Sequence, residues 1–150
     1  EGLIGFKGIK HRMELIAEKG GIRYYNDSKS TNTASAITAI KSMDRPTVLI
    51  LGGSEKGEKY DGLFKTIKAS LVKHTVITGA SRYAMLGDAG KIGYINLTVT
   101  PDFENAVEIA MIIAKEGDNV LLSPACASFD SFSGFEERGE KFAEIVEKVN

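Results

Sequence analysis

Short aliphatic segments alternate with helix-like segments along most of this 150-residue chain. Between the aliphatic segments, apolar residues recur at helical spacing, most clearly from Phe103 to Ala114. The aliphatic segments lack polar alternation, which is typical of strands that a parallel sheet buries on both faces. They lie at residues 47–51, 75–78, 94–99 and 119–122. The alternation predicts right-handed β-α-β units and therefore an α/β fold with a Rossmann-like, doubly wound sheet.

The N-terminal part of the chain has a different pattern. Residues 11–18 and 22–25 are separated by Lys19-Gly20-Gly21, which is typical of a tight turn between antiparallel strands. We therefore expect a mostly parallel sheet of about six strands with an antiparallel N-terminal strand. Helical spacing marks four segments besides the one that begins at Phe103, at residues 36–43, 63–71, 82–91 and 142–149.

The composition excludes several classes of protein. With 43% hydrophobic and 26% charged residues, the chain resembles an ordinary globular domain. Its 19 basic and 20 acidic residues leave no basic excess for binding nucleic acid or a membrane surface. The single cysteine, Cys126, cannot form an internal disulfide and fits a reducing cytoplasm. The length fits one domain, and because the first residue is Glu1 rather than Met, we expect a piece of a longer protein.

Ligands of doubly wound sheets bind at the carboxyl ends of the strands, so the loops that follow the strands are the places to search. The first loop, residues 26–32, contains helix-capping side chains and Lys29, which suit either a capped helix or an anion site. The second loop, residues 52–57, has glycines spaced as in a phosphate-binding loop. Glu58-Lys59 follows where Lys-Ser/Thr is required, so it is not a Walker A loop. Alone, it is more typical of a flexible connection.

The last loop, residues 123–139, is rich in small and hydroxyl-bearing residues that could hold a carboxylate. Cys126 and Ser128 have no histidine nearby in sequence, which disfavours a nucleophile. Residues 78–81 predict a tight turn that Ser81 caps. The phenylalanines of the last loop are expected in the core; they lie at positions 129, 132 and 135. The residues by themselves thus indicate phosphate or carboxylate binding by converging loops, without a metal, nucleophile or general base.

Four segments resemble a known family when they are taken together and in order. They are Gly-Ile-Lys-His-Arg-Met-Glu at 8–14, Asn-Asp-Ser-Lys-Ser-Thr-Asn at 26–32, Gly-Gly-Ser-Glu-Lys-Gly at 52–57 and Leu-Ser-Pro-Ala-Cys-Ala-Ser-Phe-Asp at 122–130. This set resembles the C-terminal domain of the Mur ligases. The Ser-Pro-Ala-Cys-Ala-Ser segment is similar to the branch of the family that adds D-glutamate.

The resemblance implies a place in a larger enzyme. Mur ligases have an N-terminal domain for the UDP-sugar, a central domain with the ATP loop and Mg²⁺, and a C-terminal domain that brings the acceptor amino acid. Residues 1–150 would be that third domain, inactive in isolation, and its partners would be the other two domains of the same chain. The implied reaction, in peptidoglycan synthesis, converts the carboxylate of UDP-N-acetylmuramoyl-L-alanine to an acyl phosphate at the expense of ATP. The amine of D-glutamate then attacks it.

The resemblance also implies which residues bind the acceptor amino acid. Lys56 and Thr31 would hold one carboxylate of D-glutamate. Ser128, together with the backbone N–H groups of Phe129 and Phe135, would hold the other. These five residues are expectations from the family's pattern, carried position by position onto this sequence.

A second group is implied to face the nucleotide and the phosphoryl group. Arg12 and Asp27 would contact the nucleotide, and Asp27 suits a ribose hydroxyl. Lys29 would act catalytically beside the phosphoryl group that is transferred. Ser54 departs from the pattern, because an acidic residue is expected beside Lys56, and the departure bears on acceptor preference.

Two alternatives stay open at this stage. One is a nucleotide- or anion-binding Rossmann-like module without catalysis. The other is the corresponding domain of a ligase similar to folylpolyglutamate synthase, which would use another acceptor.

Overall fold

The computed structural model describes residues 9–149, so Gly8 of the first motif segment and Glu1 lie outside the described residues. A single six-stranded sheet, in the order β1-β2-β6-β3-β4-β5, forms the centre of this region. The strands are β1 (Glu14–Lys19), β2 (Ile22–Asn26), β3 (Thr47–Leu51), β4 (Val72–Ile77), β5 (Leu97–Val99) and β6 (Asn119–Leu122). The helices are α1 (Thr33–Lys41), α2 (Asp61–Lys68), α3 (Arg82–Lys91), α4 (Phe103–Ile113) and α5 (Phe135–Lys148).

The sheet has the predicted mixture of strand directions. Strand β1 pairs with β2 in antiparallel fashion. Every other neighbouring pair is parallel, namely β2 with β6, β6 with β3, β3 with β4 and β4 with β5. The turn between β1 and β2 has positive φ at Gly20 and Gly21, +58° and +78°, as a tight hairpin turn of this kind requires. The α/β prediction, with a mostly parallel sheet and one antiparallel N-terminal strand, is confirmed.

Each face of the sheet covers its own hydrophobic core. Helices α1, α2 and α3 pack on one face around Ile40, Phe64 and Met85. Helices α4 and α5 pack on the other face, where Val107 and Phe142 are fully buried. All five residues of β3 are buried because the strand lies between both layers. The sheet is therefore doubly wound, as the aliphatic strand segments predict.

Several element boundaries differ by two or more residues from the sequence predictions; among them, β1 begins at Glu14 rather than at residue 11, and α2 ends at Lys68 rather than at residue 71. Helix α5 begins at Phe135, well before residue 142. The sequence pattern does not reveal its first turns because they carry Glu136, Glu137 and the buried Arg138 instead of a regular apolar stripe. Strand β4 begins earlier than predicted, at Val72. Strand β5 is reduced to three residues. None of the helices between residues 9 and 149 is long and apolar enough to cross a membrane.

Candidate functional site

The loops that follow β3, β4 and β6 meet at the carboxyl edge of the sheet. The Gly52 N–H donates to the Pro124 carbonyl over 2.9 Å, which joins the loops after β3 and β6. Gly53 joins the loops after β3 and β4 twice, because its N–H donates to Ser81 Oγ (3.1 Å) and its carbonyl accepts from the Ser81 N–H (2.9 Å). The Ala125 N–H donates to the Ser30 carbonyl, which adds the loop after β2. The predicted convergence of loops at this edge is therefore observed.

The first two glycines of the 52–57 loop are required by close packing. Gly52 has φ of +114°, and a Cβ atom there would lie 1.7 Å from the Thr78 carbonyl oxygen. A Cβ atom on Gly53 would lie 2.3 Å from the Ala127 carbonyl oxygen. These contacts fit backbone against backbone, so the beginning of this loop is a packed junction rather than a flexible connection.

Asp27 is a buried residue at the end of β2 that connects neighbouring segments through its side chain. Its side chain accepts hydrogen bonds from the Met13 N–H (3.0 Å), from Ser123 Oγ (2.7 Å) and from Ser30 Oγ. Burial raises the pKa of the Asp27 carboxyl above its ordinary value, although these three donors act in the opposite direction. Asp27 thereby ties the β2 and β6 loops to the segment before β1.

A groove of about 270 Å³ opens beside Asp27. Arg12 contributes an exposed guanidinium group, and helix α1 contributes hydroxyl-bearing residues. The groove is lined by Arg12, Met13, Asp27, Ser30, Ser35, Thr38, Ala39 and Ser42. The predicted nucleotide residues Arg12 and Asp27 therefore line one and the same groove.

Lys29 is held on both its backbone and its side chain. Its N–H donates to the His11 carbonyl over 2.9 Å, and its Nζ lies 4.9 Å from the centre of the Phe135 ring. The buried His11 ring meets the edge of the same Phe135 ring and pairs through Nδ1 with Asn26 Nδ2 at 3.0 Å. The catalytic role of Lys29 stays a prediction, and the structure places its ammonium group beside Phe135, a predicted acceptor residue.

Ser128 is the most informative of the predicted acceptor residues. Its side chain is only 1% exposed, and its hydroxyl has no hydrogen-bond partner among residues 9–149. A buried hydroxyl without a partner costs free energy, so a ligand that accepts from it would be stabilised. Phe135 is the first residue of α5, so its N–H is one of the helix N–H groups that have no partner within the helix.

The prediction that the phenylalanines of this loop lie in the core is wrong. Phe129 is 69% exposed at the tip of the loop, and Phe135 is half-buried beside Lys29. Phe132 is half-buried and packs edge-on against Phe103. Hydrogen bonds of Ala127 and Asp130 hold the loop against its neighbours, so full burial of its aromatic rings is not needed to fix it.

The remaining acceptor residues, Thr31 and Lys56, are less constrained. Thr31 is half-buried immediately before the N-cap residue Asn32, whose side chain accepts from the Ser35 N–H. Lys56 is exposed and makes no hydrogen bond or ion pair within the described part of the chain. The structure therefore brings Lys29 and Phe135 together, whereas Ser128 is buried in the same loop and the Lys56 side chain is exposed.

Arg138 is a site residue that the sequence analysis missed. It is 1% exposed, donates from Nε and Nη2 to Ser28 Oγ (2.9 Å) and the Ser28 carbonyl (2.8 Å), and leaves Nη1 without a partner in the described region. Ser28 Oγ in turn donates to the Phe135 carbonyl. Burial lowers the pKa of the guanidinium group to about 10. No sequence motif includes Arg138, so nothing in the sequence distinguishes it from the other charged residues of helix α5.

Cys126 and Ser81 have structural contacts. The buried Cys126 Sγ lies 3.5 Å from Ser81 Oγ and 3.7 Å from the Tyr60 hydroxyl. Burial raises the pKa of the Cys126 thiol, which disfavours a nucleophile, as expected. Ser81 stands at the start of α3, but its side chain does not cap the helix. The predicted cap is therefore wrong, because this hydroxyl serves the Gly53 N–H instead.

The comparison with known families matches this geometry. The family model for the Mur ligase glutamate ligase domain matches residues 11–126. The chain belongs to the Mur ligase family. The match spans the loops after β2, β3, β4 and β5 and residues 123–126 of the loop after β6, and it ends before Ser128.

Relatives at 40–45% identity share one name. UDP-N-acetylmuramoylalanine–D-glutamate ligase of Caldicellulosiruptor saccharolyticus is 43% identical over 144 residues, which cover 96% of this chain and 32% of the relative. The enzyme of that name from Clostridioides difficile is 43% identical over 147 residues, covering 98% of this chain and 32% of the relative. The chain thus spans about a third of the length of these Mur ligases.

Several solved structures share the fold. A murein peptide ligase from Psychrobacter arcticus superposes with a TM-score of 0.65 at 20% identity, covering 97% of this chain and 32% of that one. UDP-N-acetylmuramate–alanine ligase from Thermotoga maritima gives 0.66 at 13% identity, with coverage of 97% and 32%. Folylpolyglutamate synthase from Mycobacterium tuberculosis, complexed with ADP, gives 0.64 at 13% identity, with coverage of 89% and 32%.

Proposed function

We propose that this chain is the acceptor-binding C-terminal domain of a three-domain, ATP-dependent ligase that adds D-glutamate to UDP-N-acetylmuramoyl-L-alanine in peptidoglycan synthesis. The observation that carries the proposal is the buried Ser128 hydroxyl, which has no partner among residues 9–149 and lies in the loop after β6. Relatives at 40–45% identity that are named for this reaction support the choice of acceptor.

In the proposed site, the two carboxylates of D-glutamate are held by different loops. Ser128 donates to one carboxylate, together with the N–H groups of Phe129 and Phe135. The start of α5 favours a negative charge there, because the first N–H groups of a helix are unpaired and the helix dipole is positive at this end. Lys56 and Thr31 hold the other carboxylate. The free Lys56 side chain suits a group that closes onto its ligand.

The chemistry requires positioning rather than a nucleophile from this domain. ATP, when bound, supplies the phosphoryl group that converts the carboxylate of the UDP-sugar substrate to an acyl phosphate. The D-glutamate amine attacks the acyl carbon, an amide bond forms and phosphate leaves. Lys29 stabilises the negative charge on the phosphoryl oxygens. The loops exclude water, which would otherwise hydrolyse the acyl phosphate.

The polar side chains of the groove beside Asp27 fit the phosphate and ribose of a nucleotide. Arg12 offers a guanidinium group to phosphate oxygens, and the hydroxyl groups of Ser35 and Thr38 suit a ribose. Asp27 Oδ1 accepts one hydrogen bond, from the Met13 N–H, which leaves an acceptor position for a ribose hydroxyl. Among residues 9–149, no three His, Cys, Asp or Glu side chains group to hold a metal, and we assign Mg²⁺ to the central domain. A cytoplasmic location fits the free thiol of Cys126.

The proposal is tested with Lys56→Ala and Ser128→Ala in the full-length enzyme. Each variant removes one carboxylate contact, so the KM for D-glutamate should rise at least about 10-fold, the equivalent of one hydrogen bond to a charged group. Lys59→Ala and Ser133→Ala are matched controls, since both residues are exposed on the same two loops. Unchanged D-glutamate kinetics in both test variants would refute the residue assignment.

An acceptor panel decides between this ligase and the alternatives. Turnover of D-glutamate, but not of L-glutamate with a folate substrate, supports the proposal over a folylpolyglutamate synthase-like enzyme. Micromolar ATP binding to the isolated chain in calorimetry, together with no turnover by the full-length protein, would favour a module without catalysis.

A further inference from the structure

The two carboxylate contacts of the proposed site lie on different loops. Lys56 follows β3, and Ser128 follows β6. The separation of these two loops therefore decides the length of the dicarboxylic amino acid that can reach both contacts. Any structure that fixes one loop against the other controls that length.

Three hydrogen bonds fix these loops close to both contacts. The Ser54 N–H donates to the Ala127 carbonyl over 2.8 Å, and the Asp130 N–H donates to Ser54 Oγ over 3.1 Å. The Asp130 side chain accepts from the Ala80 N–H over 3.0 Å, which adds the loop after β4. We call Ser54, Ala80, Ala127 and Asp130 the latch. Ser54 is two positions before Lys56, and Asp130 is two positions after Ser128.

The glycines of the neighbouring loops are placed to admit the latch. A Cβ atom on Gly79, which has φ of +84°, would lie 2.8 Å from Asp130 Oδ2. A Cβ atom on Gly53 would lie 2.3 Å from the Ala127 carbonyl oxygen that accepts from Ser54. Side chains at these two positions would push the loops apart, so the close approach is built into the sequence.

The latch also gives a role to the uncharged side chain of Ser54. A serine hydroxyl accepts from the Asp130 N–H without adding a negative charge beside the Asp130 carboxylate. A carboxylate at position 54 would place two like charges near each other in this loop junction. Serine thus joins the two loops at little electrostatic cost.

We propose that the latch sets acceptor length. Ser54 and Asp130 are positioning residues that hold the backbones of the two loops at a separation from which Lys56 and Ser128 each reach one carboxylate of glutamate. An amino diacid that is one methylene shorter is rejected because it cannot reach both contacts, and one that is a methylene longer is rejected because it does not fit between them. This inference rests on the proposed function, since it concerns the specificity of the same site.

The test compares acceptors in the full-length enzyme and its Ser54→Ala and Asp130→Ala variants. The measured quantity is kcat/KM for D-glutamate relative to D-aspartate and to D-2-aminoadipate. One methylene is discriminated by about 10- to 200-fold in well-fitted sites. We expect the variants to lose about 10-fold of this ratio, through KM more than kcat. Ser54→Thr keeps the hydroxyl and should restore the ratio, and Ser133→Ala is the exposed-serine control in the same loop.

Hydrogen exchange tests the latch without relying on ligase activity. Exchange of the Asp130 amide should accelerate in Ser54→Ala, and exchange of the Ala80 amide should accelerate in Asp130→Ala. Unchanged exchange, or an unchanged acceptor ratio with accelerated exchange, would overturn the proposal. A full-length enzyme without D-glutamate turnover would instead refute the proposed function. The exchange result would then test only whether the latch hydrogen bonds hold the loops together.

Discussion

Replacing Arg138 by methionine tests the most unusual group in this domain, a buried arginine with no acidic partner at salt-bridge distance within residues 9–149. The substitution removes two hydrogen bonds from a charged group to Ser28. Such bonds contribute about 1.5–3 kcal/mol each. Relief of the desolvation that lowers the pKa of Arg138 to about 10 offsets roughly half of that loss. We therefore expect the free energy of unfolding to fall by about 1.5–3 kcal/mol.

Arg138→Lys sharpens this prediction. Lysine keeps the cost of a buried charge but cannot reproduce the two-pronged contact with Ser28, so it should be no more stable than Arg138→Met. The assay is urea unfolding of the 150-residue chain followed by circular dichroism, since the sequence has no tryptophan. A lysine variant as stable as the wild type, or a methionine variant that loses less than about 1 kcal/mol, would show that the guanidinium contacts do not support the loop edge.

Three further predictions concern the same edge. Gly52→Ala should lower the free energy of unfolding in urea by about 3 kcal/mol or more, because its Cβ would meet the Thr78 carbonyl. Gly57→Ala, at φ +75° in open space, should lower it by about 1 kcal/mol. The pKa of the Asp27 carboxyl in the folded protein is raised above 3.8, so its contribution to the free energy of unfolding is complete below pH 3.8 and is lost as the pH rises through the folded-state pKa. Asp27→Asn should remove this part of the pH dependence of unfolding, and an unchanged pH profile in the variant would contradict the prediction. Iodoacetamide should modify Cys126 only after unfolding, as mass spectrometry can follow, and rapid labelling of the native chain would show that the thiol is accessible.

The fold is predictable from sequence where periodicity and punctuation agree. Helix α4 lies within one residue of its predicted bounds, because a regular apolar stripe follows Asp102, whose side chain caps the helix. Helix α5 begins earlier than predicted. Its first turns bury Arg138 and Gly139, and neither residue type in the sequence indicates a buried helix face. Burial of a charge depends on distant partners, in this case Ser28, and sequence spacing does not reveal them.

The candidate site is predictable at the level of loops but not of contacts. Parallel strands place their carboxyl ends at one edge, so the convergence of the loops follows from topology alone. The buried Ser128 hydroxyl and the hydrogen bonds of Ser54 to Ala127 and Asp130 depend on how two loops pass each other in space. Family resemblance assigned a role to Ser128, whereas it gave none to Asp130, because no ligand contact is expected there.

The shared edge of this sheet has a consequence for how new specificities arise. The loops meet beyond the carboxyl ends of strands whose register is set by the buried cores, so replacing a loop segment need not disturb strand pairing. Solved structures share the fold with TM-scores of 0.65 and 0.66 at only 20% and 13% identity, so very different sequences form this sheet. Enzyme engineers could therefore treat residues 52–60 and 123–134 as a matched pair of exchangeable segments, to be transplanted together so that their mutual hydrogen bonds survive the graft.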